Sequence, residues 1–161
     1  MKVDYLFSRN KKIGSKIISW ASGLLIKDLE KVPSHVAILL DEHLVMESTL
    51  TTGVRAVPYS YWKKINEECY KIPGKKIRPT KEISEVFEAL YGKGYDWLGI
   101  LYFSWCFLKY FLFKTRFPKK NAWEVKNKYF CTEYAGRLSG YNKYSMTTPA
   151  KMCSDWLKEE R

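Results

Sequence analysis

One domain built from both strands and helices is what the sequence predicts, and three stretches predict it. His35 to Thr49 reads as a β-hairpin, with two apolar runs around Asp41-Glu42-His43. Gly14 to Leu25 and Thr80 to Tyr91 repeat apolar residues at helical spacing. Tyr129 to Leu138 reads as an aromatic lead-in, a cysteine and the start of a helix. A chain of 161 residues is a single domain, 1–161, by the length prior and can bury a real core. With 46% apolar and 16% aromatic residues, it is globular and not disordered.

Val3 to Ser8 reads as the first strand, closed by the basic run Arg9 to Lys12. In the helix that follows, Ile13, Ile17, Trp20, Ala21 and Leu24 recur with helical spacing, and Ser15 or Asn10 is the candidate cap. Pro33-Ser34 opens the strand His35 to Leu40, and Leu44 to Thr49 returns as its partner. Gly53 marks a turn into a short strand ending at Pro58, and Tyr59 to Ile65 reads as a helical turn or loop. Glu68 to Ile72 is a strand ended by Pro73-Gly74. Thr80 caps the next helix, with Glu82 in its first turn, and Gly92 stops it. Trp97 to Phe113 is the most apolar stretch, too short and too interrupted by Lys109 for a comfortable membrane span. A core helix is the expectation, and a membrane-surface element is the rival because basic residues flank it. Pro118 to Asn127 reads as a loop, the cysteine helix ends at Gly140, and Thr148-Pro149 starts a last helix to Leu157.

The hairpin makes a geometric prediction. A three-residue turn pairs Leu40 with Leu44, which sets Ala37 opposite Glu47 and His35 opposite Thr49. His35 and Glu47 then share a face as diagonal neighbours. A two-residue turn would put Glu47 on the other face.

Net charge is +11, which favours anionic partners: nucleic acid, lipid headgroups or an acidic polymer. A solvated lysine surface that keeps the protein soluble is the competing account. The four cysteines are spread out, without Cys-x-x-Cys or paired Cys/His spacing, so neither structural zinc nor a disulfide framework is indicated. No metal or cofactor is expected. Met1 to Ser8 has an acid within its apolar part and no small-residue cleavage site, so it does not read as a signal peptide. A reducing cytoplasm is the expected location, with a peripheral membrane position as an option.

Chemistry centres on Cys131. A thiol in the first turn of a helix feels unpaired N–H groups and the positive end of the dipole, and both favour the nucleophilic thiolate. An inert buried cysteine is the competing reading. A thiol nucleophile needs a base and a group to orient that base. Of the two histidines, His43 falls in the predicted turn and His35 at a strand start. Glu47 can hold the His35 tautomer by accepting from its ring N–H, and the Cys131 backbone N–H can help stabilise an oxyanion. A solvated His35 and a solvent-facing Glu47 are the alternatives.

These residues resemble a known family. Pro33-Ser34-His35-Val36-Ala37-Ile38, Val45-Met46-Glu47-Ser48 and Gly53-Val54 look like the histidine hairpin of the circularly permuted NlpC-type branch of the papain-like superfamily. Gly94-Tyr95-Asp96 before an apolar helix, Tyr129-Phe130-Cys131-Thr132-Glu133-Tyr134, and Thr148-Pro149-Ala150 look like its later blocks. The resemblance spans roughly Val3 to Leu157 and rests on the order and spacing of motifs that are individually loose. It implies a papain-like α+β fold, with the cysteine helix packed on an antiparallel sheet and histidine and acid preceding the cysteine. It also implies Cys131 as nucleophile, His35 as base and Glu47 as orienter, with Tyr95 and Thr132 beside the substrate. Relatives often have serine after the cysteine, and Thr132 keeps the hydroxyl. Members include cell-wall peptidases and amidases, YiiX-type proteins, and relatives of lecithin:retinol acyltransferase that act on lipid acyl groups.

Three functions follow, in this order. The first is hydrolysis of an amide or peptide bond through an acyl-thioester. The second turns the same machinery on a lipid or thioester acyl group at an anionic membrane surface, as the apolar run and positive charge suggest. The third is a non-enzymatic basic binding protein, for which no nucleic-acid motif is present, so nucleic acid ranks last among the partners.

Overall fold

A computed structural model of the chain describes residues 3–74, 80–116, 118, 121–123, 125–139 and 147–159. Among them run β1 (Val3–Arg9), α1 (Ile13–Leu25), β2 (His35–Leu40), β3 (Leu44–Thr49), β4 (Gly53–Pro58), α2 (Tyr59–Ile65) and β5 (Glu67–Pro73). Helices α3 (Thr80–Leu90), α4 (Trp97–Phe113), α5 (Cys131–Ser139) and α6 (Pro149–Glu159) complete the α+β architecture. The strands form one antiparallel sheet in the order β4-β3-β2-β1-β5. The hairpin has the predicted register, with Leu40 opposite Leu44 and Ile38 opposite Met46.

Alternation along the strands divides the core between two faces. Tyr5, Phe7, Val36, Ile38 and Met46 face α5 and α6. Leu6, Ala37, Leu39 and Val45 face Trp62 of α2 on the other side. Burying a side chain such as Leu6 or Ile38, each at most 1% exposed, contributes about 1.5–3 kcal/mol. The segment Tyr59–Ile65, read from sequence as a helical turn or loop, is a two-turn α-helix because Trp62 anchors it there, fully buried.

Two expectations for the helices are overturned. Neither Ser15 nor Asn10 caps α1: the N-cap is Lys12, and Ser15 lies inside the helix, where its Oγ accepts from the Asn10 backbone N–H at 2.9 Å. More consequential is α4, which is not a core helix. It buries Gly99 and Cys106, whereas Leu101, Trp105, Leu108 and Leu112 are each about half exposed or more. Helix α1 likewise buries Ser15 and Ser22 and turns Ile13, Ile17 and Trp20 outward. The spacing that located α1 and the apolar run that located α4 were sound, but α1 packs through its serines, and α4, apolar on every side, has only one side covered. The expected terminator Gly140 and the side chains of Thr80 and Glu82 lie outside the described residues.

Gly53 opens β4 at φ +66°, and a Cβ there would run into the Lys93 carbonyl. That carbonyl accepts from the Val54 N–H at 3.0 Å, and Gly92 N–H donates to the Val54 carbonyl at 3.1 Å. Gly53→Ala is therefore expected to cost about 1–3 kcal/mol, read as a lowered urea midpoint with unchanged slope.

Candidate active site

The site is assembled where the start of β2 meets the start of α5. Cys131 is the first residue of α5, and the helix start is fixed locally: Glu133 Oε2 accepts from the Phe130 backbone N–H at 3.3 Å, half of a capping box. Two further bonds set the lead-in. Ser48 Oγ donates to the Tyr129 carbonyl at 2.5 Å, and the Tyr129 N–H donates to the Gly94 carbonyl at 3.1 Å. Strand β3, the α3–α4 loop and the cysteine helix are thus tied at one point, two residues from the thiol.

His35 begins β2 and links the two sides of the sheet. Its Nε2 lies 2.8 Å from Glu47 Oε2, and the Cys131 thiol is near enough to the ring to shift its titration. With Nε2 occupied by the carboxylate, Nδ1 is the ring nitrogen left for sulfur. Burial pulls the imidazole pKa down, but Cys131 and Glu47 outweigh it and raise the pKa to about 10. Burial pushes Glu47 the other way, and His35 and Arg55 overcome it to hold the carboxyl at about 2.

Glu47 is 1% exposed, and its two oxygens receive four bonds. Arg55 donates to Oε1 through Nε at 2.9 Å and through a terminal nitrogen at 2.6 Å. Trp62 Nε1 donates to Oε2 at 3.1 Å, beside His35. A carboxylate so held cannot rotate away from the imidazole. Arg55 and Trp62 are the residues that sequence reasoning missed. Arg55 sits opposite Glu47 in the β3–β4 register, so extending the pairing argument through the Gly53 turn would have found it. Trp62 comes from α2 across the sheet, and nothing in its local sequence points to a carboxylate.

The structure therefore brings Cys131, His35 and Glu47 together, and of these Cys131 shares a cavity with Tyr95 and Thr132. Its volume is about 200 Å³, and it opens between α1 and α4 with Cys131, Tyr95 and Thr132 in its wall. Tyr95 is 8% exposed, and burial together with the nearby Cys131, Glu133 and Asp96 holds its phenol well above the usual 10, so it keeps its proton. The Thr132 hydroxyl donates to the Thr147 carbonyl at 2.7 Å and so ties α5 to the approach to α6. His43, by contrast, lies in the β2–β3 turn, where its backbone N–H donates to the Leu40 carbonyl. Among the other thiols, burial pushes Cys153 up to about 12 and also raises Cys69.

Set against protein-family models, curated proteins and solved structures, the chain matches none.

Proposed function

We propose that the chain is a thiol-dependent hydrolase with a papain-like architecture in permuted order, in which histidine and acid precede the cysteine. One observation carries the reading: His35, beside the Cys131 thiol, is bonded to a carboxylate that Arg55 and Trp62 also hold in place. The packing of α5 on β2 and β3, with the cysteine at its first residue, also fits that architecture.

In the proposed reaction His35 already holds the thiol proton as imidazolium, and the Cys131 sulfur attacks the substrate carbonyl carbon. The C–S bond forms as the bond to the leaving amine or alkoxide breaks, and the imidazolium returns its proton to the leaving group. Water then attacks the acyl-thioester while His35 accepts its proton, and the C–S bond breaks to give a carboxylic acid and the free thiol. The Cys131 backbone N–H, in the first turn of α5, and the protonated Tyr95 hydroxyl are the candidate donors to the oxyanion.

The cavity bears on the choice between amide or peptide and acyl substrates. Ile17, Trp20, Ile100, Phe103 and Phe107 make its walls apolar, which favours hydrocarbon next to the scissile carbonyl over a polar peptide. Intact-mass spectrometry with an acylating, thiol-reactive probe tests the reading. A single adduct on Cys131, strongly slowed by His35→Ala, is expected. Labelling at Cys69, Cys106 or Cys153 in preference to Cys131 would overturn it.

A further inference from the structure

Beyond the cavity wall, the outward faces of α1 and α4 play no part in the hydrolase reading. Leu101, Trp105, Leu108 and Leu112 recur at spacings of three and four along α4 and form one exposed stripe. On α1, Ile13 is 77% and Trp20 65% exposed. Large apolar side chains gathered on one side of a molecule mark a docking surface more often than a bare solvent face.

Charge indicates what docks there. Neither helix carries an acidic residue; Lys16 is the charge on α1 and Lys109 that on α4, and Asp96, the N-cap of α4, is fully buried. Lys109 Nζ sits 5.2 Å from the Trp105 ring centroid and Lys114 Nζ 5.6 Å from that of Phe111. Long basic side chains lying against exposed aromatic rings form the pattern of an interfacial helix, whose rings enter the headgroup boundary while ammonium groups meet anionic headgroups. A second copy of this chain fits less well, because a two-fold pairing of this face would bring the same lysines together. No helix among the described residues is long and apolar enough to cross a membrane, so α4 would lie along the surface.

The cleft joins this face to the thiol. Ile17 and Trp20 of α1 and Ile100, Phe103 and Phe107 of α4 form its walls, and Cys131 is part of its lining. We infer that α1 and α4 seat the chain on an anionic lipid bilayer and that the cleft between them admits a fatty-acyl chain of the lipid, bringing its ester carbonyl to Cys131. The seating stands independently, and the acyl assignment rests on the hydrolase reading.

Co-sedimentation with vesicles tests both parts, using phosphatidylcholine alone and an equimolar mixture with phosphatidylglycerol. Wild type and Cys131→Ala are expected to bind the anionic vesicles equally, to bind neutral vesicles more weakly, and to lose affinity as salt is raised. Leu101→Glu and Leu108→Glu should each weaken binding by about tenfold or more, while the soluble thiol probe still labels Cys131 and far-ultraviolet circular dichroism stays unchanged. Wild type that labels at Cys131 but ignores anionic vesicles would overturn the seating and leave the hydrolase reading intact. A concentration-dependent dimer that Leu101→Glu dissolves would also overturn it, in favour of a second copy. Vesicle binding without either a fatty-acyl adduct on Cys131 or released fatty acid would overturn the acyl assignment.

Discussion

Replacing Cys131 with alanine is expected to reduce hydrolysis of any substrate that acylates the protein by at least about a thousandfold. The side chain is small and 5% exposed, so the variant should fold and melt close to wild type, which separates lost chemistry from lost structure. His35→Ala should cost a comparable factor, and combining the two should cost little more, because nucleophile and base act as one unit. Steady-state rates for the two single variants and the double variant make the check. Full activity in Cys131→Ala would end the hydrolase reading for every substrate class.

The largest effect on stability is expected at Glu47. Glu47→Gln leaves Arg55 and His35 facing a neutral amide and places an NH₂ group among donors that had a carboxylate to bond. Removing one partner of a buried ionic cluster costs about 3–5 kcal/mol, measurable by urea unfolding near neutral pH. The pH dependence follows from the two shifted groups. The Glu47 carboxyl is lowered from 4.5 to about 2, so its contribution is present above pH 4.5 and fades as pH falls toward 2. The His35 imidazole is raised from 6.5 to about 10, so its contribution is full below pH 6.5 and fades as pH rises toward 10. The gap in stability between wild type and Glu47→Gln should therefore be widest between pH 4.5 and 6.5 and narrow on both sides. A gap that stays constant with pH would show that the carboxylate does not hold the imidazole in this way.

Much of this geometry was legible in the sequence because it follows from local rules. A three-residue turn and two-residue alternation place His35 and Glu47 on one face from the sequence alone, and the order of the motifs indicated which cysteine would meet them. What was not legible depended on packing between distant elements. Arg55 needed a second register carried through Gly53, and Trp62 needed α2 to fold back under the sheet. The burial of α4 was misjudged for a different reason. Hydrophobicity states what a side chain would avoid, but not whether the rest of the chain has enough surface to cover it.

The β2–β3 turn has a consequence for how the chain tolerates changes in length. Asp41 and Glu42 take φ of 44° and 63°, and this exposed bend sets the pairing of Leu40 with Leu44. Solvent-facing loops ordinarily absorb insertions and deletions with little harm. One residue gained or lost here would turn Glu47 to the opposite side of the sheet, away from His35 and Arg55, while leaving the strands themselves intact. A tip that touches no member of the proposed triad thus acts as its ruler, and indel scanning should find it among the least forgiving surface positions of the chain.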